Sequence, residues 1–397
     1  MKLPNRVELH RKLHTLYTIL YLFSLMFQEL LAICLALVAI PFIRWWFCYK
    51  NNILDKPGHD VPKRKRVPTI QWIGSILAVL IVTGLFRPEL LSASYMLWLW
   101  IGLWLLVTVN FIDELWRILH PKYRLSPKLK FIVQAAAALI ALRVSGVGFT
   151  QITLGWDNLS FGLLVGALLT MARFGLCTNA INWFDGVYGL ASWSSALWFL
   201  TVASLLTRVV KPLYPWMNWI ELEMVNAAIW CAWLFSGVTI IAAVMEFRPR
   251  GLMREVGTMS FGFALAYLSL LWWAKIGTMV VVLALPLFDA MWVILDRVFR
   301  RKVSPFKGDF THLHYRLMAL GWNRIEVRVV LRSLSVFLAI IMLLQWWDRR
   351  DKLIIFVLVA IIFFAINGYL FRVKKLPKAY LPGEKSDDDL EGNYVEK

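Results

Sequence analysis

FGLLVGALLTMARFGLCTNAINWFDGVYGLASWSSALWFLTVASLLT, residues 161–207, contains two apolar runs, 161–177 and 188–207, separated by a break that carries Asn179, Asn182 and Asp185. Each run approaches the roughly 20 residues that a helix needs to cross the hydrocarbon of a bilayer. Amide and carboxylate side chains at such a boundary are costly unless they are solvated, paired or used. Asn179 and Asn182 are three residues apart, a spacing that stacks them on one helical face. An ordinary polar helix cap would look the same, so the rest of the chain has to decide.

Working outward, the composition fixes the class. Of the 397 residues, 59% are hydrophobic, 15% aromatic and only 17% charged, which excludes an ordinary soluble domain and indicates an all-α, polytopic membrane protein. Trp45-Trp46, Trp272-Trp273 and Trp346-Trp347 suit the interfacial belts at the ends of spans. The formal charge of +18 sits in short loops rather than along one face. It therefore points to topology and to anionic lipids or phosphates, not to nucleic acid. Cys34, Cys48, Cys177 and Cys231 lack disulfide or zinc spacing. The first apolar run is too long for a cleavable signal and lacks a small-residue cleavage site.

Further apolar runs at 15–47, 70–86, 94–112, 129–143, 227–245, 257–274, 278–296, 332–347 and 353–371 bring the expectation to about eleven transmembrane helices. The basic loops at Lys56–Arg66, Arg117–Lys130, Arg248–Arg254, Arg297–Lys307 and Lys374–Lys378 fall on one side, which the positive-inside rule makes cytoplasmic. Residues 1–34 read as an N-terminal extension with the start of the first span, and an interfacial helix or a second crossing is open there. Residues 35–325 form the membrane core, 326–375 the C-terminal transmembrane helices, and 376–397 an acidic, disordered cytoplasmic tail.

The same side gathers the polar clusters. Asp55-Lys56-Pro57, Asp113-Glu114, Ser126-Pro127-Lys128-Leu129-Lys130, Arg254-Glu255 with Gly257-Thr258, and Asp309 to Arg316 with His312 and His314 join the Asn179 to Asp185 break. Several carboxylates can hold a magnesium ion through oxygen, while lysine, arginine and histidine neutralise phosphate oxygens; the set suits phosphoryl transfer. Asp113 beside Glu114 needs a cation or a proton between them, unless both face water. Transporters place polar groups within spans near the midplane, whereas these clusters lie at span ends.

In order and spacing, Asp55-Lys56-Pro57, Phe111-Ile112-Asp113-Glu114, Leu125 to Lys130 with Gln134, Asn179-Ala180-Ile181-Asn182 with Asp185-Gly186 and Gly189-Leu190-Ala191, Gly257-Thr258, and Ser304-Pro305-Phe306 through Asp309, His312 and His314 resemble the polyprenyl-phosphate N-acetylhexosamine-1-phosphate transferases. The resemblance covers residues 35–325. The last motif looks most like the undecaprenyl-phosphate N-acetylglucosamine-1-phosphate branch, which starts teichoic-acid, lipopolysaccharide O-antigen or enterobacterial-antigen lipids, and less like the muramoyl-pentapeptide branch.

The resemblance implies a UDP-N-acetylhexosamine donor such as UDP-N-acetylglucosamine, an undecaprenyl phosphate acceptor, UMP as by-product, and magnesium or manganese as cofactor. It places the chain in the bacterial inner membrane among membrane lipids, with its active site facing the cytoplasm and a homodimer open. Carried over by position, Asp113, Glu114 and Asp185 take catalytic roles, and Glu255 with Asp185 the metal. Lys56, Lys130, Asn179, Asn182, Asp309, His312 and His314 take substrate groups.

The pattern also departs from the family. Glu114 and Glu255 stand for Asp, Arg254 for Gly, Tyr188 for an acid or amide, Tyr315 for His, and Ile73-Gly74 for a Gly-Gly pair. A catalytically silent binding or scaffold protein with the same fold is the competing expectation.

Overall fold

The computed structural model describes residues 23–24, 27–28, 30–43, 45–46, 50, 72–120, 125–145, 151–154, 157–160, 162–210, 218–246, 253–271, 280–304, 311–344 and 349–373. Within them the chain is helical apart from one hairpin. In chain order the helices are α1 (Leu30–Ile43), α2 (Ile73–Phe86), α3 (Glu89–Ser92), α4 (Ser94–Leu119), α5 (Pro127–Ser145), α6 (Leu163–Phe184) and α7 (Leu190–Leu205). They continue as α8 (Trp219–Met245), α9 (Arg254–Leu270), α10 (Ala284–Leu295), α11 (Leu313–Ala319), α12 (Arg324–Leu343) and α13 (Arg349–Val373). Every apolar run of the sequence overlaps one of these helices.

Five of the described helical segments, Ser94–Leu119, Leu164–Phe184, Leu190–Arg208, Trp219–Met245 and Asp351–Tyr369, are long and apolar enough to cross a membrane by length and composition. The described residues are all-α in class, with one short hairpin between helices. β1 (Gln151–Leu154) pairs antiparallel with β2 (Asp157–Ser160), Gln151 opposite Ser160. The β-branched Ile152 and Thr153 favour extended backbone.

Two helices start at the same device. Asn218 accepts the Glu221 N–H at 2.9 Å and Glu221 returns a bond to the Asn218 N–H at 3.0 Å, closing a capping box on α8. Asn323 and Glu326 do the same for α12. α4 ends later than the hydropathy suggests. It runs on to Leu119, so Asp113 and Glu114 lie inside the helix, buried, rather than in a solvated loop.

α9 is the centre of the bundle. Every residue from Val256 to Leu270 is buried, and the helix packs on α4, α6, α7 and α8. Without a hydrophobic driving force between helices in lipid, such packing depends on close approach of backbones. Gly262 supplies it against α6, because a Cβ there would lie 2.4 Å from Thr178 Cα and 2.8 Å from the Cys177 carbonyl oxygen. Gly262→Ala is therefore expected to destabilise the protein by about 1–3 kcal/mol, read as a lowered unfolding temperature in detergent. An unchanged temperature would contradict this contact. The antiparallel packing brings the C-terminal ends of α4 and α6 to the same end of the bundle as the N-terminal ends of α5 and α9.

Candidate active site

At that end, Lys130 on the first turn of α5 reaches two other helices. Its Nζ lies 2.5 Å from Asp113 Oδ2 on α4 and hydrogen-bonds Glu255 Oε2 on α9. Asp113 is 4% exposed and its other oxygen accepts the Leu125 N–H at 2.8 Å. Glu114 pairs instead with Arg117, one turn along the same helix. Neighbouring residues on a helix point about 100° apart, so the two acids avoid each other by taking different cations. Burial pushes the Glu255 carboxyl up and Lys130 pulls it down, while Glu114 and Asp113 add to the upward push.

The break between α6 and α7 is bound to α9. Asp185 Oδ1 accepts the Met253 N–H at 3.3 Å and Oδ2 the Arg254 N–H at 2.5 Å, so this carboxylate caps α9 from another segment. Burial raises the Asp185 carboxyl against the pull of the Arg254 guanidinium and of these two amides. Asn182 Oδ1 accepts the Thr258 hydroxyl at 3.0 Å. Asn179 turns the other way: its amide donates to Gln134 Oε1 on α5 at 3.0 Å and to the Gly175 carbonyl at 2.7 Å. The two asparagines thus tie α6 to different neighbours, and Asn179 spends its amide hydrogens on holding helices together.

A second cluster lies around His312. Asp289 on α10 has no exposed surface and carries three bonds: His312 Nδ1 at 2.9 Å, the Leu313 N–H at 2.8 Å and Arg316 Nη2 at 3.0 Å. Trp183, in the last turn of α6, lies 5.9 Å from His312 between ring centroids at 24°, and His314 lies 6.0 Å from it at 4°. His314 is 1% exposed, and both of its ring nitrogens are buried without a hydrogen-bond partner among the described residues. Burial lowers its pKa to about 3, with His312 and Arg316 pushing the same way, so the ring is neutral at physiological pH. Its Nε2 lies against Gly186, where a Cβ would come within 1.9 Å.

The pattern of glycosyl transferase family 4 matches residues 96–273, the stretch that holds Asp113, Glu114, Lys130, Asn179, Asn182, Asp185 and Glu255. A probable undecaprenyl-phosphate N-acetylglucosaminyl 1-phosphate transferase of Bacillus subtilis (strain 168) is 25% identical over 291 residues, 71% of this chain and 74% of that protein. Undecaprenyl-phosphate alpha-N-acetylglucosaminyl 1-phosphate transferases of Escherichia coli O157:H7 and Yersinia pestis are 21% and 24% identical, over 81% and 80% of this chain and 84% and 83% of theirs. Over the stretch that builds this site the chain is similar to the glycosyl transferase family 4 proteins.

The departures from the family 4 pattern have physical consequences. Tyr188, in place of an acid or amide, faces α12: its ring lies 5.6 Å from the Arg324 guanidinium, and its carbonyl accepts Arg328 Nη1 at 3.2 Å. Arg332 bonds the Gly189 carbonyl in the same way. Arg254, in place of Gly, has φ 47°, a left-handed conformation that costs a side-chain-bearing residue about 1–2 kcal/mol. Among variants at this position, Arg254→Gly should therefore be more stable than Arg254→Ala by about 1 kcal/mol, reversing the usual helix ranking. Chemical unfolding of the two proteins measures this, and an alanine variant equal or superior in stability would refute the strained backbone.

Of the residues singled out in the sequence, Asp113, Lys130 and Glu255 meet directly, and Asn182 and Asp185 meet the same end of α9. His312 and His314 form a separate cluster that touches the break through Trp183 and Gly186. Lys56 and Asp309 lie outside the described residues. Sequence reasoning missed Asp289 and Trp183. The signal for Asp289 was present, since it is an acid within the apolar run 278–296. Trp183 had none, because one more tryptophan among 21 carries no information.

Among the described residues no three His, Cys, Asp or Glu side chains converge on one point. What the cluster does have is two carboxylates, from Asp113 and Glu255, turned on one positive group. Hard oxygen donors sharing a cation are the chemistry a magnesium site requires. The donor set therefore fits that ion, with Lys130 as the present counter-charge.

Proposed function

We propose that this protein transfers N-acetylhexosamine 1-phosphate from a UDP-sugar to undecaprenyl phosphate, releasing UMP and starting a lipid-linked envelope glycan. The observation that carries this reading is Lys130, held between Asp113 and Glu255 at the end of the bundle. An ammonium between two acids is a charge relay point for phosphate groups: an arriving diphosphate competes with the carboxylates for it, and a divalent cation competes with it for the carboxylates.

In the proposed reaction an oxygen of the lipid phosphate attacks the sugar-bearing phosphorus of the donor. A new P–O bond forms as the bond to the UMP oxygen breaks, and UMP leaves with that electron pair. Glu255, with Asp113 or Asp185, would hold a magnesium ion, which would supply neutralisation of diphosphate charge. Asp113 orients the acceptor, Lys130 binds a phosphate, and His312 contacts the diphosphate. Positioning of this kind accounts for most of the catalysis of phosphoryl transfer. The site belongs at the cytoplasmic boundary of the inner membrane, where the acceptor headgroup and a water-soluble nucleotide meet; the basic loops of the sequence support that side.

Purified protein in detergent, given undecaprenyl phosphate, magnesium and a panel of UDP-amino sugars, is expected to release UMP. Failure with every donor, beside an active relative, would rule the activity out in favour of a silent binding protein.

A further inference from the structure

Asp289 is fully buried in an apolar helix, and the reaction as described above does not use it. Resting on the transferase reading, we propose that Asp289 is a positioning residue that holds His312 as its Nδ1–H tautomer and leaves Nε2 as the atom offered to the donor diphosphate.

The hydrogen-bond inventory leaves little freedom. The Leu313 N–H and the Arg316 guanidinium can only donate, so Oδ1 of Asp289 is committed to them. Oδ2 faces His312 Nδ1 at 2.9 Å, and a carboxylate oxygen there requires the proton to sit on Nδ1. The near-parallel rings of Trp183 and His314 restrict the tilt of the imidazole. Among the described residues Nε2 makes no hydrogen bond. When Nε2 meets a phosphate oxygen, Asp289 is already in place as a fixed carboxylate behind the ring. Arg316 also lies against Trp292, 5.7 Å from its ring, which fixes the guanidinium that orients the carboxylate.

The same inventory dictates what asparagine would do. In Asp289→Asn the donors at Leu313 and Arg316 keep the amide oxygen on their side, so the NH2 group turns to His312 Nδ1. That donor forces the proton from Nδ1 to Nε2. UMP release is expected to fall by about 10- to 100-fold, mainly in kcat.

The decisive readouts go beyond activity. In protein labelled with 15N-histidine and assigned by His312→Gln, His312 should show a protonated Nδ1 in the wild type and an unprotonated Nδ1 in Asp289→Asn. In a double-mutant cycle, Asp289→Asn should cost less than 3-fold in the His312→Gln background, since its effect passes through a ring no longer there. Independent, multiplying losses would overturn the proposal, and so would a wild-type His312 protonated on Nε2 alone. Should the asparagine variant fail to fold, the wild-type spectrum and that of Asp289→Glu, which restores the carboxylate, decide the tautomer. A wild type that shows the Nδ1–H signal but releases no UMP would overturn the transferase reading while leaving the tautomer assignment intact.

Discussion

Lys130→Met is expected to lower UMP release by about 10²- to 10³-fold and to cost stability at the same time. The two losses have one origin. Removing the ammonium leaves Asp113 and Glu255, on α4 and α9, as neighbouring acids with no cation between them. Breaking a buried pair by deleting one partner costs about 3–5 kcal/mol, and since Lys130 and Glu255 keep 17% and 27% of their side-chain surface the lower end applies. A divalent cation can replace the missing charge. Excess magnesium should therefore raise the unfolding temperature of Lys130→Met more than that of the wild type, a readout independent of turnover. Retained activity, or a variant as stable as the parent, would remove Lys130 from the centre of the site.

Gly186→Ala is the second large effect. The added carbon would sit 1.9 Å from His314 Nε2 and 2.8 Å from its two neighbouring ring carbons. The imidazole has little room to yield, with Tyr315 4.1 Å away between ring centroids and His312 parallel to it. The backbone at 185–187 must move instead, and with it the Asp185 carboxylate that holds the Met253 and Arg254 amides. A displacement of about 1 Å at a positioned group costs on the order of 10²-fold in rate, and overpacking of this kind costs about 1–3 kcal/mol. His314→Ala in the same chain removes the obstacle, so the double variant should regain stability relative to Gly186→Ala alone. Additive losses in thermal unfolding would show that the two positions do not collide.

How much of this was legible in the sequence depends on the physics behind each feature. The spans were legible because hydrocarbon imposes a length and a composition that any run of 161–177 or 188–207 displays without reference to its neighbours. The meeting of Asp113, Lys130 and Glu255 was legible only as a shared side of the membrane. The pairing itself depends on which helices touch α9, and that follows from close approaches such as Gly262 on Thr178. The hairpin at 151–160 was overlooked because four-residue strands between spans are too short for periodicity to register. His314 shows the limit from the other side. Its motif suggests a ligand for diphosphate, yet its burial behind Gly186 leaves it neutral, and burial is not written in a motif. Asp289 was readable in principle, because an acid inside an apolar run needs a partner, but nothing in the sequence pointed to His312 as that partner.

The bridge from Lys130 to Glu255 joins residues 125 positions apart. At a synthesis rate of about 5–20 residues per second, Lys130 leaves the ribosome roughly 6–25 s before its distal acid exists. During that interval the newly inserted helices α4 to α8 hold an unfinished charge pattern, with Asp113 as the lysine's partner and no central helix to close it. A nascent chain released before residue 255 would therefore be largely helical with Lys130 paired to Asp113 alone, and the Lys130 to Glu255 contact marks the moment at which the central helix is tied to its neighbours.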